Sequence, residues 1–322
     1  MRLISAADVK QAISMTDAIA AVREGFIALS TAKAQVPLRS ALQTADGTTL
    51  FMPAYVDQAL NSAVKIVSIY PGNARHGLPS IVASVLVLDA GTGQLRALID
   101  ATYLTALRTG AGSGLATDLL ALPDASILGV IGAGAQARTQ IEAVLAVRPI
   151  REIRIFSRSG AEMLVAALSA SYPDLSIRTA HSASDALRGA QVLIAATTSS
   201  TPVIELADVQ TGAHINGIGS YTPTMQEVAA EVVTRAKIVV DSRESCLAEA
   251  GDLLIPMATG MLDHDAIYAE IGEIAAGLKP GRTSAEEITF FKSVGNAIQD
   301  LTVAARVLAA AEAQNLGTIV NF

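Results

Sequence analysis

The sequence predicts an α/β protein, a doubly wound parallel sheet joined to a mixed α+β domain. Three observations carry this. The apolar run over residues 127–131 breaks into the loop Gly132-Ala133-Gly134-Ala135-Gln136-Ala137 and continues as a helical stretch. Beyond it, strand-length apolar runs alternate with helical periods, as βαβ repetition demands. Ahead of it, residues 38–99 carry strand runs in succession, with turn residues such as Asp46-Gly47 and Ala90-Gly91-Thr92-Gly93 between them.

In chain order, residues 5–31 show a helical period (Ile13, Met15, Ala18, Ile19, Val22, Phe26, Leu29), with Ser14 or Thr16 as the expected cap ahead of Asp17. Strands are expected over 38–44, 48–55, 63–69, 81–89 and 94–99. The helical stretch 103–120 carries the domain boundary, which gives a first domain over 1–115. The second domain, 116–296, is expected to run strand 127–131, helix 136–147, strand 152–157, helix 161–169, strand 175–179, helix 184–187, then strands 192–197, 213–218 and 237–241. A final amphipathic helix over 295–315, with Ile298, Leu301, Val303, Ala304, Val307 and Leu308 on one side, returns to the first domain or reaches a partner subunit.

Composition narrows the function. Of the 322 residues 51% are hydrophobic and 16% charged, yet the apolar runs are strand-length, too short to span a membrane as helices. Buried parallel strands and a large subunit interface account for the surplus. A net charge of −7 without a basic cluster argues against nucleic acid. The single cysteine, Cys246, excludes an internal disulfide. With no signal-like segment at Met1–Ser14, a cytoplasmic protein is expected.

The glycine loop is the first chemical signal. Gly132 permits the tight turn, Gly134 lets backbone approach a pyrophosphate, and Ala137 lets the helix lie close to its strand. Ala135 and Gln136 open the helix, whose N–H groups and dipole favour phosphate. These features predict the start of a Rossmann-type dinucleotide site; the alternative is a glycine turn of an α/β protein with no ligand. The second strand ends in Ser157-Arg158-Ser159 where NAD sites commonly place an acid. Arg158 and the serines suit a 2′-phosphate, so NADPH is the preferred cofactor with NADH possible; the alternative is an arginine merely solvated at a loop.

The second signal is cationic. Lys65 interrupts a strand of buried residue types, and Arg108 lies in the small-residue stretch Leu104–Gly110. Alternation alone also allows Lys65 to face solvent. With Arg39, and no acid near them in sequence, they point to a site for a small carboxylate. The four histidines show no metal spacing, and no metal is expected. His214 reads as structural, Cys246 as a buried apolar side chain, and Asp263, Asp265, Glu270 and Glu273 as a solvated acidic face.

Arg39, VKIVSIYPGN (64–73), LTALRTGAGS (104–113), the GAGAQA loop, ATTSSTPV (196–203), GAHINGIGS (212–220), VVDSRESCLAEAGDL (239–253) and FKSVGNAIQDL (291–301) together resemble the ornithine cyclodeaminase/mu-crystallin family, in register almost from end to end. The resemblance implies a homodimer whose first domain, completed by residues 297–322, binds substrate and forms the subunit interface. It implies that Arg39, Lys65 and Arg108 hold a substrate carboxylate near the nicotinamide. By the same resemblance Ser80, Thr197, Thr198, Ser199, Ile218 and Ser293 line the cofactor, while Glu249 and Asp300 fall in family motifs without an assigned role.

One departure directs the activity. Cyclodeaminases of this family carry an aspartate base after the His-x-Asn strand, where this chain has Tyr221 in Gly219-Ser220-Tyr221-Thr222-Pro223. A phenol with an ordinary pKa near 10 is a poor base for an amine. The stretch is closer to that of reductases of cyclic imino acids such as Δ1-pyrroline-2-carboxylate. The expected activity is NAD(P)H-dependent reduction of a five- or six-membered cyclic α-imino acid. An amino-acid cyclodeaminase, an alanine-dehydrogenase-like enzyme and a non-enzymatic NADPH-dependent binder are the alternatives.

Overall fold

Two Ser-x-x-Asp boxes break the expected first helix in two. In the computed structural model, which describes residues 1–321, a short strand β1 (Arg2–Ile4) precedes α1 (Ala6–Ala12) and α2 (Met15–Ser30). Ser5 and Ser14 are the caps: each hydroxyl accepts the N–H of the aspartate three residues on, and Asp8 and Asp17 accept the cap N–H in return. The continuous helix expected over 5–31 is therefore corrected to two, and the cap of the longer one is Ser14, not Thr16.

The strands of the first unit follow: β2 (Ala34–Gln35), β3 (Ser40–Gln43), β4 (Thr48–Val56), β5 (Asn61–Ile69), β6 (Ile81–Asp89) and β7 (Leu95–Asp100). β4 to β7 form an antiparallel ladder, β2 and β3 pair with β4, and β1 joins β7 in parallel. In β5, Ala63 and Lys65 fall on one buried face, with Met52 of β4 and Val85 of β6 directly beside Lys65. The solvent-facing alternative for Lys65 is thereby excluded. The helix α3 (Ala101–Leu120) ends this segment, and the chain divides into two units inside it, between Thr109 and Gly110.

The second unit, Gly110–Gly295, is the doubly wound sheet. Its elements are β8 (Ile127–Ile131), α4 (Ala137–Leu145), β9 (Glu152–Phe156), α5 (Glu162–Ser171), β10 (Ser176–Thr179), α6 (Ala183–Leu187), β11 (Val192–Ala195), β12 (His214–Gly217), α7 (Ala230–Val233), β13 (Lys237–Val240), α8 (Arg243–Glu249), α9 (Gly251–Ala258), β14 (Ile267–Glu270), α10 (Ile271–Ala275) and β15 (Thr289–Lys292). The order is β10-β9-β8-β11-β12-β15-β13-β14, with every pair parallel. β14 and β15 were not expected from the sequence; β15 inserts between β12 and β13. The strands are near-continuously apolar because both faces are covered.

The chain then returns to the first unit as α11 (Ala297–Gln314) and β16 (Thr318–Ile319), which pairs antiparallel with β1. α11 packs on α2 and across β4, β5 and β6. Its apolar side, Ile298 to Leu308, is buried as the period predicts. Gly25 of α2 makes the approach possible: a Cβ there would stand 2.9 Å from Thr302 Cγ2.

Candidate active site

Three chain segments of the first unit bring charge to one buried point. β5 supplies Lys65, α3 supplies Arg108, and α11 supplies Asp300. Lys65 Nζ lies 2.7 Å from Asp300 Oδ2, and the two side chains are 2% and 1% exposed. Arg108 Nε lies 3.0 Å from the other oxygen, Oδ1. The distances are those of ion pairs, although neither Asp300 oxygen has a well-aligned hydrogen bond. Gln299 holds the arginine from both ends: its Oε1 accepts from Arg108 Nη1 at 2.9 Å and its Nε2 donates to the Arg108 carbonyl at 3.2 Å.

Burial lowers the Lys65 pKa most, and the charge of Arg108 lowers it further; Asp300 opposes them, Arg39 adds a smaller downward push, and the result is about 8. Arg39, half-buried just before β3, thus belongs to the same electrostatic cluster. Lys65, Arg108 and Asp300 sum to one positive charge, an environment that favours a bound carboxylate.

In the second unit, Gly132 takes φ +108, and a Cβ on it would run into the carbonyl of Ala196. Gly134 is exposed and a Cβ on it would meet nothing within 4 Å, so the loop leaves room for a ligand where the motif requires it. Gln136 occupies the N-cap of α4 without making a side-chain cap, and Ala137 N–H donates to the Gly134 carbonyl, so no side chain caps the N–H groups of Arg138 and Thr139 that follow; Ala135 is exposed beside it, and Ala137 is fully buried. These features fit a dinucleotide pyrophosphate.

The remaining candidates divide by unit. Ser157 and Ser159 hydroxyls lie 3.1 Å apart after β9, with Arg158 exposed between them. Thr197, Thr198 and Ser199 follow β11, and Ile218 follows β12. Ser293 follows β15, where its hydroxyl donates to Asp241 Oδ2 at 2.7 Å. Ser80 belongs to the first unit, where its carbonyl accepts from Tyr70 N just ahead of β6.

Several polar residues prove structural. His214 is fully buried between Thr289 and Asn216, and burial, then Arg282, pushes its pKa down to about 3. Cys246 is buried with its thiol 3.2 Å from Asp241 Oδ1, and burial followed by that carboxylate pushes its pKa well up. Tyr221 is 43% exposed. The solvated acidic face requires correction: Asp263 and Asp265 are exposed, but Glu270 and Glu273 are half-buried. Glu273 pairs with Lys279 at 3.3 Å, and Glu270 accepts from Arg243 N, because β14 and α10 draw them into the fold.

Sequence reasoning named Asp300 without a role and missed Gln299. Asp300 and Gln299 sit in the motif FKSVGNAIQDL, and an acid on the buried side of an amphipathic helix was the signal available.

Comparison with known proteins places the chain in a family. Residues 1–315 match the model of the ornithine cyclodeaminase/mu-crystallin family. The chain is 36% identical to a Δ1-pyrroline-2-carboxylate reductase of Bacillus cereus, with 100% of both chains covered. The structure of Thermococcus litoralis Δ1-pyrroline-2-carboxylate reductase in complex with NADH and L-proline superposes with a TM-score of 0.94 at 42% identity, over 99% of this chain and 100% of that one. An archaeal alanine dehydrogenase dimer with bound NAD gives 0.93 at 36% identity, over 100% and 99%. With the family model matched over residues 1–315 and relatives matched end to end, the protein belongs to the ornithine cyclodeaminase/mu-crystallin family.

Proposed function

We propose that the protein is an NAD(P)H-dependent reductase of a small cyclic α-imino acid, such as Δ1-pyrroline-2-carboxylate or its six-membered homologue, yielding the cyclic amino acid. The observation that carries this reading is the buried Lys65–Asp300–Arg108 cluster with its surplus positive charge. Arg108 and Arg39 hold the substrate carboxylate, which fixes the ring in place. Lys65, with a pKa brought near the working pH, donates a proton to the ring nitrogen, making C=N a better acceptor. The reduced nicotinamide, when bound, supplies the hydride for the α-carbon. Gly132, Gly134, Ala135 and Gln136 would hold its pyrophosphate, and Thr197, Thr198, Ser199, Ile218 and Ser293 of the same unit would line it; Ser80 remains a candidate by family resemblance alone. The relatives named for Δ1-pyrroline-2-carboxylate support the substrate class.

Three finer readings follow. Ser157-Arg158-Ser159, without an acid, favours NADPH over NADH. Exposed Leu38, Leu42, Leu60, Leu78 and Ile81, all on the first unit, favour a homodimer formed through it. Among the described residues no helix is long and apolar enough to cross a membrane, and a lone buried thiol suits the cytoplasm.

The test is the absorbance of NADPH and NADH with preformed cyclic imines, with pyruvate plus ammonia, and with ornithine. Steady cofactor consumption with the imines supports the reading. Consumption only with pyruvate and ammonia would assign an alanine dehydrogenase, the reading favoured by the similarity to the archaeal enzyme. Ornithine turnover without net consumption would assign a cyclodeaminase.

A further inference from the structure

A second buried charge network lies in the parallel-sheet unit and takes no part in the chemistry above. Glu227, Asp252 and Lys292 are each fully buried. Lys292 Nζ pairs with Asp252 Oδ2 at 3.0 Å, and Asp252 Oδ1 accepts the N–H groups of Glu227 and Val228 at 2.7 and 3.0 Å. The Glu227 carbonyl accepts from Val203 and Ile204. With its backbone held on both sides, Glu227 projects its carboxylate into the joint between two strand ends. Oε1 accepts from Thr197 N at 2.6 Å; Oε2 accepts from Gly219 N at 2.6 Å and Ser220 N at 3.0 Å.

That joint is tight. A Cβ on Gly219 would run into the Thr197 backbone and stand 2.5 Å from Glu227 Oε1. On its other side Thr197 abuts the glycine turn, where a Cβ on Gly132 would lie 3.3 Å from Thr197 Cγ2. The carboxyl ends of β8, β11 and β12 are therefore in mutual contact through Gly132, Thr197 and Gly219. Ligands of doubly wound sheets bind at these strand ends.

We propose that Glu227 is a positioning residue, whose carboxylate ties the loop after β11 to the loop after β12 and so shapes the floor of the nicotinamide half of the dinucleotide site. Burial pushes the Glu227 carboxyl up most and Asp252 adds to it, while Lys292 and the Thr197 N–H oppose them. The carboxylate sets the backbone of residues that face the cofactor in the reading above, on which this inference rests.

The test is binding without substrate, measured on wild type and Glu227→Gln with NADPH against 2′,5′-ADP and NADH against ADP-ribose, with Tm recorded for each protein. The amide keeps the size of the side chain but turns a donor toward a backbone N–H. Loss of charge-assisted hydrogen bonds on this scale is expected to weaken the whole dinucleotides about tenfold or more, while the fragments change less than about twofold. Gly219→Ala keeps the Glu227 side chain chemically intact but crowds its carboxylate and the Thr197 backbone in the same joint, and should give the same split. Equal weakening of dinucleotide and fragment, or no change in either, would overturn the inference. Failure of both variants to fold would also overturn it, by making Glu227 a brace for the whole sheet. If the wild type binds none of these ligands, the dinucleotide reading itself fails and takes this inference with it.

Discussion

Lys65 on β5 and Asp300 on α11 form a buried ion pair at 2.7 Å, and the carboxylate also reaches Arg108 at 3.0 Å. One anion thus serves two cations, and neither cation is fully neutralised by it. The lysine is left readily deprotonated while the arginine keeps its charge, a division suited to a proton donor beside a carboxylate clamp.

The first prediction is a pH profile. Lys65 is active when protonated, so the rate of imine reduction should fall as pH rises through about 8. Arg108, Arg39 and Asp300 are the charges that face it. Asp300→Asn removes the anion that favours the ammonium and should move this limb down by about one pH unit or more. A limb that stays in place would remove Lys65 as the titrating group. Unfolding is a separate matter with the opposite sign. The folded-state pKa of about 8 lies below the ordinary 10.5, so the unfolded chain holds more protons between them, and this group's contribution to stability rises with pH across that window.

Lys65→Met and Arg108→Lys should separate chemistry from binding. Methionine packs readily between Met52 and Val85, and the variant should lose about a hundredfold or more in kcat, the usual scale for a lost general acid. Arg108→Lys keeps the charge but loses the planar fork and the Gln299 contacts, so KM should rise with NADPH binding little changed. A Lys65→Met enzyme with normal kcat and raised KM would make Lys65 a second clamp.

Much of the fold was legible because its signals are local. The apolar run, glycine turn and helix at 127–145, and the antiparallel run at 48–99, are written in period and turn chemistry. β15 escaped because Thr289–Lys292 ends in a lysine that reads as exposed, whereas its partner Asp252 lies in another segment. The break between α1 and α2 was readable in two Ser-x-x-Asp boxes but was outweighed by a continuous apolar period. In the active site the cations were visible as charges in apolar surroundings. Asp300 stood out only as part of a motif, and its role as their counter-ion was not legible, since only tertiary packing brings α11 onto β5. Glu227 acts on backbone N–H groups, which carry no residue identity.

Cofactor choice should depend on Arg158. If it binds the 2′-phosphate, Arg158→Asp should weaken NADPH about tenfold or more relative to NADH, since a charge-assisted contact becomes a repulsion. Equilibrium binding of both cofactors checks this, and an unchanged ratio rejects the assignment.

Assembly should follow from the exposed apolar residues of the first unit. The protein is expected to sediment as a dimer at micromolar concentration, with an interface above roughly 2,000 Å² as obligate homodimers generally have. Leu42→Glu, which places a charge on exposed β3, should shift the equilibrium toward monomer. A wild-type monomer at that concentration would leave Leu38, Leu42 and Leu60 without this explanation.

The most direct measurement supplies a reduced cofactor carrying deuterium at the transferable C4 position, together with Δ1-pyrroline-2-carboxylate, and examines the product by mass spectrometry and NMR. The account predicts proline with one deuterium on its α-carbon for each cofactor oxidised. Proline without deuterium, or no oxidation of the cofactor while the imine is present, would contradict it.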